Sequence, residues 1–181
     1  VIHDIMEKDN QLWVATDGGG INIISLDDFS FTNIQQKQDD VHSFPANTIY
    51  RLYLDSANNM WAGSIRRGLI GIRNVFACSY QNVPFGNLYG LSNQTINSFF
   101  QDSDGMVWVG TDGGGINRFD PLTGTFKHYP STMHEKVVSI VEYTPDELLF
   151  SSFNEGLFIF HKQTGRVRPF VLVDKETNDR E

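Results

Sequence analysis

Two strings in this 181-residue sequence stand out for the chemistry their residue types allow, Asp17-Gly18-Gly19-Gly20 and Asp112-Gly113-Gly114-Gly115. Glycines beside a carboxylate can turn successive backbone N–H groups toward a ligand as a nest. The competing reading is a tight turn that needs positive φ. At the matching places two other segments are polar instead of glycine-rich, Arg66-Arg67 and Asn154-Glu155. Asp17, Arg66, Arg67, Asp112, Asn154 and Glu155 are therefore the candidate ligand-contacting residues.

Other chemistries have weaker support. Asp102-Ser103-Asp104-Gly105 matches part of a calcium loop but has neither the third ligand nor the distal bidentate Glu, so a hairpin turn is the better reading. His3, His42, His128, His134 and His161 show no metal-binding or triad spacing, and no serine sits in a Gly-x-Ser-x-Gly elbow. Cys78 is the single cysteine, which excludes an intrachain disulfide and a cysteine-based zinc site. No catalytic residue, metal or cofactor is called for. The 14 Lys+Arg against 22 Asp+Glu give a net charge of -8, and the longest basic run is Arg66-Arg67, which speaks against nucleic acid.

The elements that must position these residues come from a repeat. Leu12-Trp13-Val14-Ala15-Thr16-Asp17-Gly18-Gly19-Gly20-Ile21-Asn22 returns as Val107-Trp108-Val109-Gly110-Thr111-Asp112-Gly113-Gly114-Gly115-Ile116-Asn117, with weaker copies from Met60 and Leu149. With Trp13, Trp61, Trp108 and Phe150 as anchors, the spacings are 48, 47 and 42 residues, the period of one propeller blade. Each unit reads as four short strands. In the third these are Thr95–Gln101, Met106–Thr111, Ile116–Asp120 and Thr125–Tyr129. The spacing predicts an all-β chain of four four-stranded antiparallel β-propeller blades, at about 1–40, 46–84, 93–130 and 135–173. A β-sandwich is the structural competitor, but it does not require Trp at one strand position in every unit. The anchors could be sugar-stacking platforms, yet an inter-blade core is the simpler reading. The connections Gln35–Asn47 and Phe76–Gln94 are long and share a face with the glycine-rich loops, so a site is expected there.

The fullest copy, Asp104 to Tyr129, carries Trp108, Gly110, Thr111, Gly113 to Gly115, Phe119, Asp120, Thr123, Gly124, Phe126 and Tyr129. It resembles the two-component regulator propeller repeat. The Asp102–Trp108 segment is also similar to the Asp-box of sialidase propellers, but no acidic dyad of a glycosidase is in evidence. The resemblance implies the periplasmic sensor region of a hybrid histidine kinase that senses oligosaccharides, works as a homodimer and keeps its kinase and other downstream domains elsewhere. The expected function is non-enzymatic. A propeller lyase or glycosidase and a pure interaction scaffold are the alternatives. Four repeats are fewer than such propellers use, and the sequence begins without Met or a signal-peptide pattern and ends with Phe170-Val171-Leu172-Val173 running past the last unit. The chain is therefore expected to be part of a larger propeller, with further blades covering its end sheets.

Overall fold

A computed structural model describes residues 1–37, 43–73, 76–81, 83–84 and 86–172. His42, the end of the first expected blade at 40, and Val173 lie outside them. Among the described residues sixteen strands form four antiparallel sheets, each in sequential order. Sheet 1 is β1 (Ile2–Lys8), β2 (Gln11–Thr16), β3 (Ile21–Ser25) and β4 (Phe31–Ile34); sheet 2 is β5 (Ile49–Leu54), β6 (Met60–Ser64), β7 (Leu69–Arg73) and β8 (Phe76–Tyr80). Sheet 3 is β9 (Ile96–Gln101), β10 (Val107–Thr111), β11 (Gly115–Asp120) and β12 (Thr125–His128); sheet 4 is β13 (Val137–Thr144), β14 (Glu147–Ser152), β15 (Gly156–His161) and β16 (Val167–Pro169). One expectation needs correcting: Phe76–Tyr80 is not connection but the outer strand of sheet 2, hydrogen-bonded to β7.

Sheets with two apolar faces stack to bury them, and they do so in chain order through three seams. Trp13, Ala15 and Ile21 of sheet 1 meet Ile49, Leu52, Met60 and Ile70 of sheet 2. Trp61 and Leu69 meet Ile96, Val107, Val109 and Phe119 of sheet 3; Trp108 and Ile116 meet Val137, Ile140, Leu148, Phe150 and Phe160 of sheet 4. The rings interlock edge to face, Trp61 on Phe119 at 5.0 Å and Trp108 on Phe160 at 5.7 Å between centroids. A buried aromatic side chain removes about 150–250 Å² from water, worth on the order of 4–6 kcal/mol before entropy is charged against it. The sheets can approach this closely because β6 and β10 carry glycine next to their last residue. A Cβ on Gly63 would stand 2.8 Å from Ile96 Cβ, and one on Gly110 would stand 2.7 Å from Val137 Cγ1.

Register corrects the fourth anchor. Thr111 pairs with Gly115 and Ser152 with Gly156, so the residue three before Ser152 occupies the tryptophan position. That residue is Leu149. Phe150 belongs to the opposite face and packs back against Trp108 in the third seam.

The first strands β1, β5, β9 and β13 pack successively on one another and form the inner wall of the arc. Each carries a bulge at its second residue. Ile2 pairs with Thr16 and Asp4 with Ala15, leaving His3 without an opposite number; Tyr50, Asn97 and Val138 are displaced in the same way. A bulge swings its residue out of the alternation, and repeated four times it sends four unlike side chains, His3, Tyr50, Asn97 and Val138, toward the same zone.

Candidate functional site

In sheets 1 to 3 the loop between the second and third strands is fixed to the connection that follows the sheet. The N–H groups of Gly20, Gly68 and Gly115 donate to the carbonyls of Asn47, Gln94 and Glu135, each two residues before the next first strand. Thr16, Ser64 and Thr111 close the same loops by donating their hydroxyls to the carbonyls of Gly20, Gly68 and Gly115. In the third sheet three of the four loop donors are used by the fold: Asp112 N–H donates to Thr95 O, and the N–H groups of Gly113 and Gly115 donate to Glu135 O. The glycines serve as turns with positive φ, 88° at Gly113 and 74° at Gly115.

On this loop face, against the inner wall, lies a cavity of about 290 Å³. Three of the four bulge residues line it, Tyr50, Asn97 and Val138, together with Arg51, the Asp112–Lys136 pair and Phe153. The fourth bulge residue, His3, packs its ring on Tyr50 at 4.2 Å between centroids. Lys136 Nζ sits 3.4 Å from Asp112 Oδ1, a half-exposed pair worth about 0–1 kcal/mol. Phe153 is 60% exposed and outside the seams, so its ring is available as a platform. Arg51 Nε donates to Asn97 O at 3.0 Å and Nη1 to Tyr50 O at 3.1 Å, which ties the guanidinium to two bulge carbonyls on neighbouring sheets.

Of the six residues expected to contact a ligand, Asp112 lines this cavity. Asp17, Arg66, Arg67, Asn154 and Glu155 stand exposed at the tips of the equivalent loops, with Asp17 accepting the Thr48 hydroxyl at 3.2 Å. Loop composition pointed to the face on which this cavity lies but not to the bulge residues that line it. Their signature is apolar residues three apart in a strand that otherwise alternates, Ile49/Leu52, Ile96/Phe99 and Val137/Ile140, all turned toward the seams.

A second cavity, of about 310 Å³, lies on the opposite, hairpin face between sheets 3 and 4 and is lined by Asp102, Trp108, Arg118, Lys127 and Lys162 among others. Its buried charges are already matched. Lys162, 8% exposed, bridges Asp102 Oδ2 at 3.3 Å and the Glu142 carboxylate. Asp102 also accepts the N–H groups of Asp104 and Met106 and the Trp108 indole, so no oxygen is left for a calcium ion. The hydrogen bond from Lys162 holds the Glu142 carboxyl below the ordinary carboxylate range against a smaller opposing effect of burial. Burial pulls the Lys162 ammonium down, but Glu142 and Asp102 outweigh it and raise its pKa. A depressed carboxylate stabilises the fold above its unfolded pKa and loses that contribution as pH falls through the folded value. Glu142→Gln is therefore expected to lower the melting temperature at pH 7, with the gap to the parent closing below about pH 4. Calorimetric melts across pH 3–8 check this, and a constant gap would refute it.

The two-component regulator propeller pattern matches residues 43–66 and 90–113, each span running from the connection before a first strand into the loop after the second strand, β6–β7 and β10–β11. The match covers 48 of the 181 residues, in two of the four units. Among solved structures, the extracellular domain of a hybrid two-component system from B. thetaiotaomicron shares 24% identity at a TM-score of 0.80, over 98% of this chain and 26% of that one. A second such domain from the same organism shares 20% at 0.69, over 97% and 25%. Virginiamycin B lyase from Staphylococcus aureus shares 16% at 0.70, over 93% and 55%. At these identities the likeness establishes the fold, a β-propeller, and these propeller repeats span about a quarter of the length of the first two relatives. No curated protein sequence matches the chain. Among the described residues no helix is long and apolar enough to cross a membrane.

Proposed function

We propose that these repeats are part of the extracytoplasmic, periplasmic sensor of a hybrid two-component protein, and that the loop-face cavity binds an oligosaccharide. The observation that carries this reading is the cavity itself. Bulges from three sheets bring Tyr50, Asn97 and Val138, with Arg51 next to the first of them, beside the open ring of Phe153, and sugars are held by such a mixture of apolar faces and fixed polar groups. The segment itself is non-catalytic. The histidine kinase belongs to other domains of the parent protein, which acts as a homodimer, and binding signals by favouring one packing of paired sensors over another.

Further repeats complete the propeller in this reading. The outward face of sheet 1 displays Ile2, Ile5, Leu12, Ile24 and Phe31, with Phe31 69% exposed. In sheets 2 to 4 the same register positions are the ones covered by the preceding sheet, as with Ile49, Leu52 and Met60.

Titration calorimetry against a panel of oligosaccharides tests the proposal. Binding without product formation is expected, and Phe153→Ala should weaken it about tenfold, the equivalent of about 1.4 kcal/mol, with little change in melting temperature. Cleaved or eliminated product would favour a propeller enzyme. Absence of binding throughout the panel would favour a scaffold.

A further inference from the structure

We infer that the sugar recognised at the loop-face cavity is acidic, and that Arg51 receives its carboxylate. This rests on the sensor reading above and narrows it. Arg51 is itself half-buried, in a strand whose seam-facing neighbours, Ile49 and Leu52, are buried, so its charged head is only partly solvated. Its guanidinium is held by two neutral acceptors, the bulge carbonyls of Tyr50 and Asn97. Among the described residues it forms no ion pair, whereas the other cation of the cavity, Lys136, is matched by Asp112. The lining therefore carries one positive charge without a counter-charge, on a chain whose net charge is -8.

A guanidinium has five donors, and the two carbonyls take one hydrogen each from Nε and Nη1. The rest of the planar fork is held rigid beside the cavity, and such a fork matches a carboxylate with two parallel hydrogen bonds. Because the carbonyls already fix the side chain, little rotamer entropy remains to be lost when the anion arrives. The bulge residue Asn97 and the Asp112 carboxylate are placed to meet hydroxyls, and Phe153 to meet the apolar face of the ring. The chemistry points to a uronic acid unit.

The test uses trigalacturonate and a hyaluronan tetrasaccharide, each beside its own neutral methyl ester, with neutral cello- and malto-oligosaccharides as a third arm. One of the two acids is expected to bind about 10- to 100-fold more tightly than its ester, the range of a charge-assisted hydrogen-bonded pair. Arg51→Gln should remove that preference, and Arg51→Lys should restore only part of it. Because Arg51 also satisfies two carbonyls, both variants are first melted. If Arg51→Gln does not fold, the parent protein still decides the matter through the acid-to-ester ratio. Equal binding of acid and ester, or binding of neutral sugars alone, overturns the acidic assignment and leaves the sensor reading standing. Binding of nothing in any arm overturns both.

Discussion

Replacing Gly115 with alanine is expected to cost about 3 kcal/mol or more of folding stability, placing it among the severe single substitutions. For a chain of this size that is a fall of about 6–12 °C in melting temperature. Two effects add. The residue sits at φ 74°, where a Cβ costs roughly 1–2 kcal/mol. The new Cβ would also overlap the carbonyl oxygen of Thr132 and crowd its hydroxyl. Thr132 cannot step aside easily, because it ends a 3-10 turn and its own Oγ1 accepts the Ile116 N–H at 2.9 Å. Gly113 supplies the control. It has φ 88° but open space around its Cβ position, so Gly113→Ala should show the conformational cost alone, about 1–2 kcal/mol. Equal losses at the two positions, measured by denaturant titration, would mean that close packing of the loop on the next connection contributes nothing.

Asp102→Ala should be comparably damaging, about 3–5 kcal/mol, the range for stripping one partner from a buried charged pair. The carboxylate takes the Trp108 indole N–H at 2.7 Å, the Met106 N–H at 2.9 Å and the Asp104 N–H at 3.1 Å, besides facing Lys162. One substitution therefore unties a hairpin, orphans an indole inside the third seam and leaves Lys162 with Glu142 alone. Asp102→Asn keeps an acceptor for the turn and should lose less. In a double-mutant cycle with Lys162→Met, the two losses should fall short of additivity, because the uncompensated ammonium is part of what Asp102→Ala costs. Strict additivity would count the lysine out. Asp55 shows the same device in the second seam, with its Oδ2 accepting the Trp61 indole at 2.9 Å.

The sheets were legible because a stacked repeat needs a large side chain at the same strand position in each unit, and Trp13, Trp61 and Trp108 fill it. The fourth was misread because Phe150 is the only aromatic in its strand, while the register puts Leu149 at the tryptophan position. The site was half legible. Glycine-rich loops announce their face, since positive φ has few other solutions, and Asp112, which lines the cavity, stood out that way. The bulge residues were hidden because one extra residue changes the phase of a strand without changing its composition. Arg51 is the exception that composition could have caught, a lone cation inside Ile-Tyr-Arg-Leu-Tyr-Leu. The indole of Trp13 has no counterpart to Asp55 or Asp102. Its hairpin turns on only Asp9 and Asn10, both at positive φ, and Lys8 stands where the aspartate would be.

That difference has a spectroscopic consequence. The tryptophans are distributed one to a seam, and their indole N–H groups are in unlike states, bound to a carboxylate at Trp61 and Trp108 and without a partner among the described residues at Trp13. Intrinsic emission is therefore a built-in probe of the arc. Proteins keeping a single indole would reveal which boundary between sheets loosens first on heating, and which one registers an occupied cavity, with no label attached.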